Sequence, residues 1–82
     1  MARILFFGRL ADLAGGRTRE LQIGDSVRNL RELVDLIAKG DARLGAALRE
    51  KSVQTIINER VSTGEAISDS DEIAFLPPVS GG

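Results

Sequence analysis

The chain has 82 residues, a length that fits one domain whose core buries about 60–65% of the unfolded surface. It has no cysteine and no histidine, which excludes disulfides, thiolate metal sites and a cysteine nucleophile, and removes the commonest general base and metal ligand. A net charge of −1, spread along the chain, argues against an electrostatic nucleic-acid footprint, and a 43% hydrophobic content argues against wholesale disorder.

Arg3-Ile4-Leu5-Phe6-Phe7-Gly8 is a short apolar run stopped by glycine, and it reads as a strand apolar on both faces. Alternation puts Ile4 and Phe6 on one side and Leu5 and Phe7 on the other. One side is expected to face the core. The other is either a second buried face or an exposed patch for a partner. Arg9 to Gly16 reads as a connection with a helical turn over Leu10 to Ala14 and a Gly15-Gly16 turn signal. That diglycine is no phosphate cradle, because no Lys-Ser/Thr follows it and no Gly-x-Gly-x-x-Gly pattern is present. Arg17 to Ile23 alternates, with Leu21 and Ile23 on one face and Arg19, Glu20 and Gln22 offering polar contacts. It is predicted to pair with the first strand as a hairpin.

Gly24-Asp25-Ser26 predicts a turn ending in Ser26 as helix N-cap, with Asn29 where a capping box wants Glu or Gln. Val27, Leu30, Leu33, Val34 and Ile37 recur at helical spacing, and Gly40 stands as the C-terminal stop. Asp41 to Glu50 fits either a short second helix or an irregular excursion. Ser52 to Asn58 is β-branched and reads as a strand. Asn58-Glu59 turns the chain, Val61 begins a short partner strand, and Thr63-Gly64-Glu65 is a further turn signal. Ser68 to Glu72 is an acidic turn. Its carboxylates suggest calcium at first sight, but the ligand run is short and the bidentate glutamate spacing is missing, so solvated turn charges are the favoured reading.

Ile73-Ala74-Phe75-Leu76 is the last strand, with Ile73 and Phe75 on one face and Ala74 and Leu76 on the other. Pro77-Pro78 then ends the ladder and favours extended backbone. Val79 and Ser80 are compact, and Gly81 and Gly82 carry no side chain, so the arm suits a channel that admits little more than backbone. No apolar run approaches the roughly 20 residues of a membrane span, and no signal peptide is visible, so a cytoplasmic protein is expected. A binding or carrier role is favoured over catalysis.

One amphipathic helix across a mixed sheet buries its stripe against Ile4, Phe6, Leu21, Ile23, Ile73 and Phe75. The first and last strands, both doubly apolar, belong together at the centre as a parallel pair. This predicts an α+β fold, the β-grasp of ubiquitin, over residues 1–76, with residues 77–82 as an extended tail. The tail leaves beside an outer face carrying Leu5, Phe7, Ala74 and Leu76.

Leu5-Phe6-Phe7-Gly8, the Asn58-Glu59 turn, Asp71-Glu72-Ile73-Ala74-Phe75 and the ending Pro77-Pro78-Val79-Ser80-Gly81-Gly82 resemble the small-subunit (MoaD) family of molybdopterin synthase. The resemblance covers essentially the whole chain, and the ending is its most specific part. Gly8 and Ser80 fall at positions that vary in the family. The resemblance implies a non-catalytic carrier that holds sulfur as a thiocarboxylate on its terminal glycine. An ATP-using, ubiquitin-activator-like enzyme adenylates the terminal carboxylate, and a sulfur donor displaces AMP. The large subunit then receives the tail and builds the dithiolene on cyclic pyranopterin monophosphate, in an assembly of two large and two small subunits.

Carried onto this chain, the resemblance makes Gly82 the site of AMP and sulfur attachment and Gly81 the slender neck. Pro77, Pro78, Val79 and Ser80 form the inserted arm, and Phe7, Val61 and Leu76 are docking residues. The chemistry agrees. A terminal carboxylate, with a reference pKa of about 3.3–3.7, is ionised and a poor electrophile, so it needs a leaving group. With no phosphate-binding loop, the chain leaves ATP to its partner, and with no cysteine it carries no persulfide. No resident cofactor, metal, nucleic acid or membrane is expected. Two other readings share the Gly-Gly ending: a sulfur carrier for thiamine thiazole synthesis and a ubiquitin-like protein modifier. A plain interaction domain with an idle tail is the third.

Overall fold

The structure, a computed structural model, describes residues 1–24, 27–61 and 66–77, with the backbone alone at positions 60 and 61. The first apolar run forms β1 (Ala2–Phe6), followed by α1 (Arg9–Ala14) and β2 (Thr18–Leu21). The long amphipathic segment forms α2 (Leu30–Gly40), and the ambiguous stretch after it folds as a helix, α3 (Ala42–Leu48). Three strands complete the chain: β3 (Gln54–Ile57), β4 (Arg60–Val61) and β5 (Glu72–Leu76). Among the described residues the strands make one sheet in the order β2-β1-β5-β3-β4.

The two doubly apolar strands meet as predicted. β1 and β5 run parallel inside the sheet, with Ile4 across from Ile73 and Phe6 across from Phe75. β2 and β3 flank them antiparallel, and β4 closes the far edge on β3. Ile4, Phe6, Ile73 and Phe75 are all buried on the inner face, where they meet Leu33, Val34 and Ile37 of α2 and Leu44 and Leu48 of α3. The Phe6 and Phe75 rings stack with centroids 5.9 Å apart. Each fully buried side chain of this size stabilises the fold by about 1.5–3 kcal/mol relative to exposure. Ile23 and Val27 are buried as predicted, whereas Leu21, on the edge strand, is half-buried.

Three local expectations are corrected. α2 begins at Leu30, and its cap is Asn29, whose Oδ1 accepts the Glu32 N–H at 2.9 Å. Glu32 Oε1 in turn accepts the Arg28 N–H at 2.8 Å. A bridge between Asn29 and Ala66, with the Ile67 N–H donating to the Arg28 carbonyl at 2.9 Å, holds Asn29 itself in extended backbone (φ −148°, ψ 174°). Val27 therefore reaches the core from outside the helix. The Ser26 cap and the Thr63-Gly64-Glu65 turn lie outside the described residues.

The other end of α2 differs by one residue. Gly40 is the last helical position, and Asp41 caps it. Asp41 also starts α3, its Oδ1 accepting the Leu44 N–H at 3.0 Å, so one residue serves two helix ends. The third correction concerns Arg19. It stands across from Ile4, and Leu21 across from Ala2, so Arg19 shares the inner side with Leu21. Its charge escapes burial at the sheet edge. The guanidinium lies 5.7 Å from the Phe6 ring centroid and donates to the Ala14 carbonyl at 2.9 Å, at the end of α1.

The Asn58-Glu59 turn has both residues at positive φ (50° and 69°), as a tight two-residue hairpin requires. Asn58 also ties this hairpin to the acidic turn. Its Nδ2 donates to Asp71 Oδ1 at 2.9 Å, and its Oδ1 accepts the Glu72 N–H at 2.9 Å. Asp71 Oδ2 accepts the Ser68 N–H at 2.8 Å, and Asp69 Oδ1 accepts the Ile23 N–H at 2.9 Å. Asp71 therefore closes the turn, while Asp69 ties it to the backbone that follows β2. No helix among the described residues is long and apolar enough to cross a membrane.

Candidate functional site

The chain leaves the sheet at the end of β5, next to the end of β1. The Phe7 N–H donates to the Phe75 carbonyl at 3.2 Å, which extends the parallel ladder one residue past β1. Phe7 thus lies beside the segment Phe75-Leu76-Pro77 from which the tail departs. Its side chain is 46% exposed, and only Met1 joins it as an exposed large hydrophobic among the described residues. Leu76 and Pro77 are half-buried. Phe7 and Leu76, both predicted for docking, are therefore brought together at the root of the tail.

The third predicted docking residue, Val61, lies elsewhere. It belongs to the edge strand β4, where it pairs with Ile56. Three strand spacings, roughly 14 Å, separate β4 from β1. The ladder connects the two ends. Ile56 pairs with Ala74, and Ala74 with Leu5, so Val61, Ile56, Ala74 and Leu5 form one row across four strands. Ala74 is 8% exposed yet stands apart from the core cluster, because its methyl lies on the outer face between Leu5 and Ile56. Leu5 and Ile56 are half-buried.

The outer face is thus an apolar row leading toward Phe7 and Leu76, where the tail begins. Ile56 is a member that the sequence reading passed over. The signal was present: Gln54 and Ile56 alternate with Thr55 and Ile57, but β-branched residues on both sides leave the outward side unmarked. At the other end of the face, Arg3 and Glu72 are paired across β1 and β5, with Arg3 Nη1 3.8 Å from Glu72 Oε2. Polar groups therefore bound the row at the end away from the tail.

Pro77 is the one member of the predicted arm that falls within the described residues. Pro78, Val79, Ser80, Gly81 and Gly82 lie outside them. Among the described residues, no cluster of three or more carboxylates stands in metal-binding geometry.

Comparison with known proteins gives the family from two directions and the fold from a third. The ThiS family model matches residues 4–82. The chain is 30% identical over 83 aligned residues to the molybdopterin synthase sulfur carrier subunit of Escherichia coli K12, covering 100% of both chains. It is also 30% identical to the subunit of the same name from Chlamydomonas reinhardtii, covering 98% of this chain and 96% of that one. Among solved structures, the putative molybdopterin converting factor subunit 1 of Pyrococcus furiosus superposes with a TM-score of 0.80 at 24% identity, covering 95% and 97% of the two chains. SAMP1 from Haloferax volcanii superposes with a TM-score of 0.78 at 24% identity, covering 99% and 98%. At those identities the structural likeness speaks for the fold, the predicted ubiquitin-like β-grasp. With a family model spanning nearly the whole chain and full-length relatives beside it, the protein belongs to the ThiS family, in the company of the molybdopterin synthase sulfur carrier subunits.

Proposed function

We propose that this protein is the sulfur carrier subunit of a molybdopterin synthase. The observation that carries the reading is the pairing of full-length relatives bearing that name with a Pro-Pro-Val-Ser-Gly-Gly ending launched from a central strand. The outer row, which ends at Val61, supplies the docking surface together with Phe7 and Leu76. The tail from Pro77 to Gly81 enters the large subunit. Gly82 is the attachment point.

The reaction follows from the chemistry of a terminal carboxylate. Its oxygen attacks the α-phosphorus of ATP held by an activating enzyme, forming the acyl-adenylate and releasing pyrophosphate. A donor delivering sulfur at the hydrosulfide level attacks the Gly82 carbonyl, and AMP leaves. The product is a thiocarboxylate, a better nucleophile than the carboxylate it replaces. In the large subunit the thiocarboxylate sulfur displaces an oxygen leaving group from the pterin precursor, and water cleaves the resulting thioester, leaving sulfur on the product and Gly82 as a carboxylate. A dithiolene holds two sulfurs, so two charged carriers are consumed for each product. The chain itself contributes the carried atom and the fit of its tail, and the large subunit contributes the catalysis.

Intact mass of the chain from its own cells, with fragmentation, tests the reading. One oxygen-for-sulfur exchange placed on Gly82 is expected. The charged chain, mixed with the large subunit and pterin precursor, is expected to yield dithiolene. A charged chain that yields none, yet supports thiazole formation, points to the thiamine branch. Gly82 found only in isopeptide linkage to lysine points to a protein modifier.

A further inference from the structure

Gly8 joins β1 to α1, and it is also where the first residue of the tail comes to rest. Its backbone (φ 58°, ψ −137°) lies where L side chains are strained, and the Leu10 N–H closes a tight turn over it by donating to the Phe7 carbonyl at 3.1 Å. A Cβ added to Gly8 would lie 2.8 Å from Pro77 Cγ, 3.7 Å from its Cδ and 3.8 Å from its Cβ. The Pro77 ring is therefore seated on bare backbone. On the other side of the same residues, the bond from Phe7 N–H to the Phe75 carbonyl ends the ladder. Pro77 is held at its ring by Gly8 and at its φ by its own chemistry.

We propose that Gly8 is a positioning residue for sulfur transfer: it seats the Pro77 ring and so aims the carrier tail. The proposal rests on the sulfur-carrier reading above. Five residues beyond Pro77 span at most about 17 Å, so a tilt of about 10° at the root displaces the terminal carbonyl by about 3 Å. Misplacement of that size is enough to slow a reaction that depends on alignment. Gly8 touches neither sulfur nor precursor. It acts through Pro77.

A double-mutant cycle on the full chain, using preformed thiocarboxylate and the large subunit, tests this. Gly8→Ala is expected to slow single-turnover transfer about tenfold at saturating large subunit, while the half-saturating concentration stays nearly unchanged. In a Pro77→Ala background, which lacks the ring, the same change is expected to slow transfer less than about twofold. Circular dichroism at the assay temperature verifies that each variant is folded. Equal slowing in both backgrounds, or none in either, overturns the proposal. So does the absence of nuclear Overhauser contacts between the Gly8 α-protons and the Pro77 ring in the wild-type chain. A wild-type chain that takes up no sulfur overturns the carrier reading and this role with it, and the Overhauser contacts then report separately on whether the seat exists.

Discussion

Gly45 of α3 lies directly against Ala38 of α2, so that the two helices meet at backbone distance. A Cβ on Gly45 would fall 2.8 Å from Ala38 Cα and collide with its Cβ. Alanine is the better helix former by about 1 kcal/mol, but overpacking against backbone typically costs about 1–3 kcal/mol. Packing decides the sign. Gly45→Ala is expected to destabilise the fold by up to about 2 kcal/mol, read as a lower urea midpoint with an unchanged slope.

Neighbouring phenylalanines separate fold from function. Phe6 is 1% exposed and stacked on Phe75, whereas Phe7 is 46% exposed. Phe6→Ala is expected to cost about 3–5 kcal/mol, a large part of the stability of a domain this small. Phe7→Ala is expected to stay within about 0.5 kcal/mol of wild type in urea unfolding. The same Phe7 variant is expected to bind the large subunit about tenfold more weakly, measured by calorimetry. Unchanged affinity would remove Phe7 from the docking surface.

The Asn58-Glu59 hairpin carries a cost at its second position. Glu59 sits at φ 69°, a region that penalises a side chain by about 1–2 kcal/mol, while glycine's extra unfolded-state freedom costs about 0.4–1 kcal/mol. Glu59→Gly is therefore expected to raise the thermal midpoint, whereas Asn58→Gly also loses the bonds to Asp71 and Glu72 and is expected to lower it.

Asp69 links stability to pH. The Ile23 backbone N–H and then the N-terminal ammonium, whose nitrogen is 3.0 Å from Asp69 Oδ2, hold its carboxyl below the ordinary value of 3.8. A folded value below the unfolded one means the contribution is full above the ordinary carboxylate range and is lost as pH falls through the lowered value. Asp69→Asn is thus expected to lower the thermal midpoint at neutral pH and to converge with wild type in strong acid. A gap that persists unchanged through that range would show that the ionisation of Asp69 does not carry the effect.

Much of this architecture was legible because its determinants are local. Alternation in Ile4 to Phe7 and Ile73 to Leu76, and helical spacing from Leu30 to Ile37, mark faces that water sorts wherever the segments end up. The start of α2 was misplaced because two capping spacings compete, Ser26 with Asn29 and Asn29 with Glu32. The bridge from Asn29 to Ala66, a partner distant in sequence, favours the second. The sequence groups Arg19 with Glu20 and Gln22 as a source of polar contacts, and only the position of the Phe6 ring and the end of α1 explains how it sits on the apolar side.

By itself the sequence determined the strands and the long helix, the central pairing of two doubly apolar strands, and an ending of two prolines followed by small residues and two glycines. Those follow from propensity, periodicity and the chemistry of proline and glycine, which act over a few neighbouring residues. The tertiary structure alone decided that Val61, Ile56, Ala74 and Leu5 share one row, that Gly45 meets Ala38, and that the Pro77 ring rests on Gly8. Each of these joins segments far apart in the chain. Their register and spacing are set by how whole faces pack, and no single stretch of sequence encodes that.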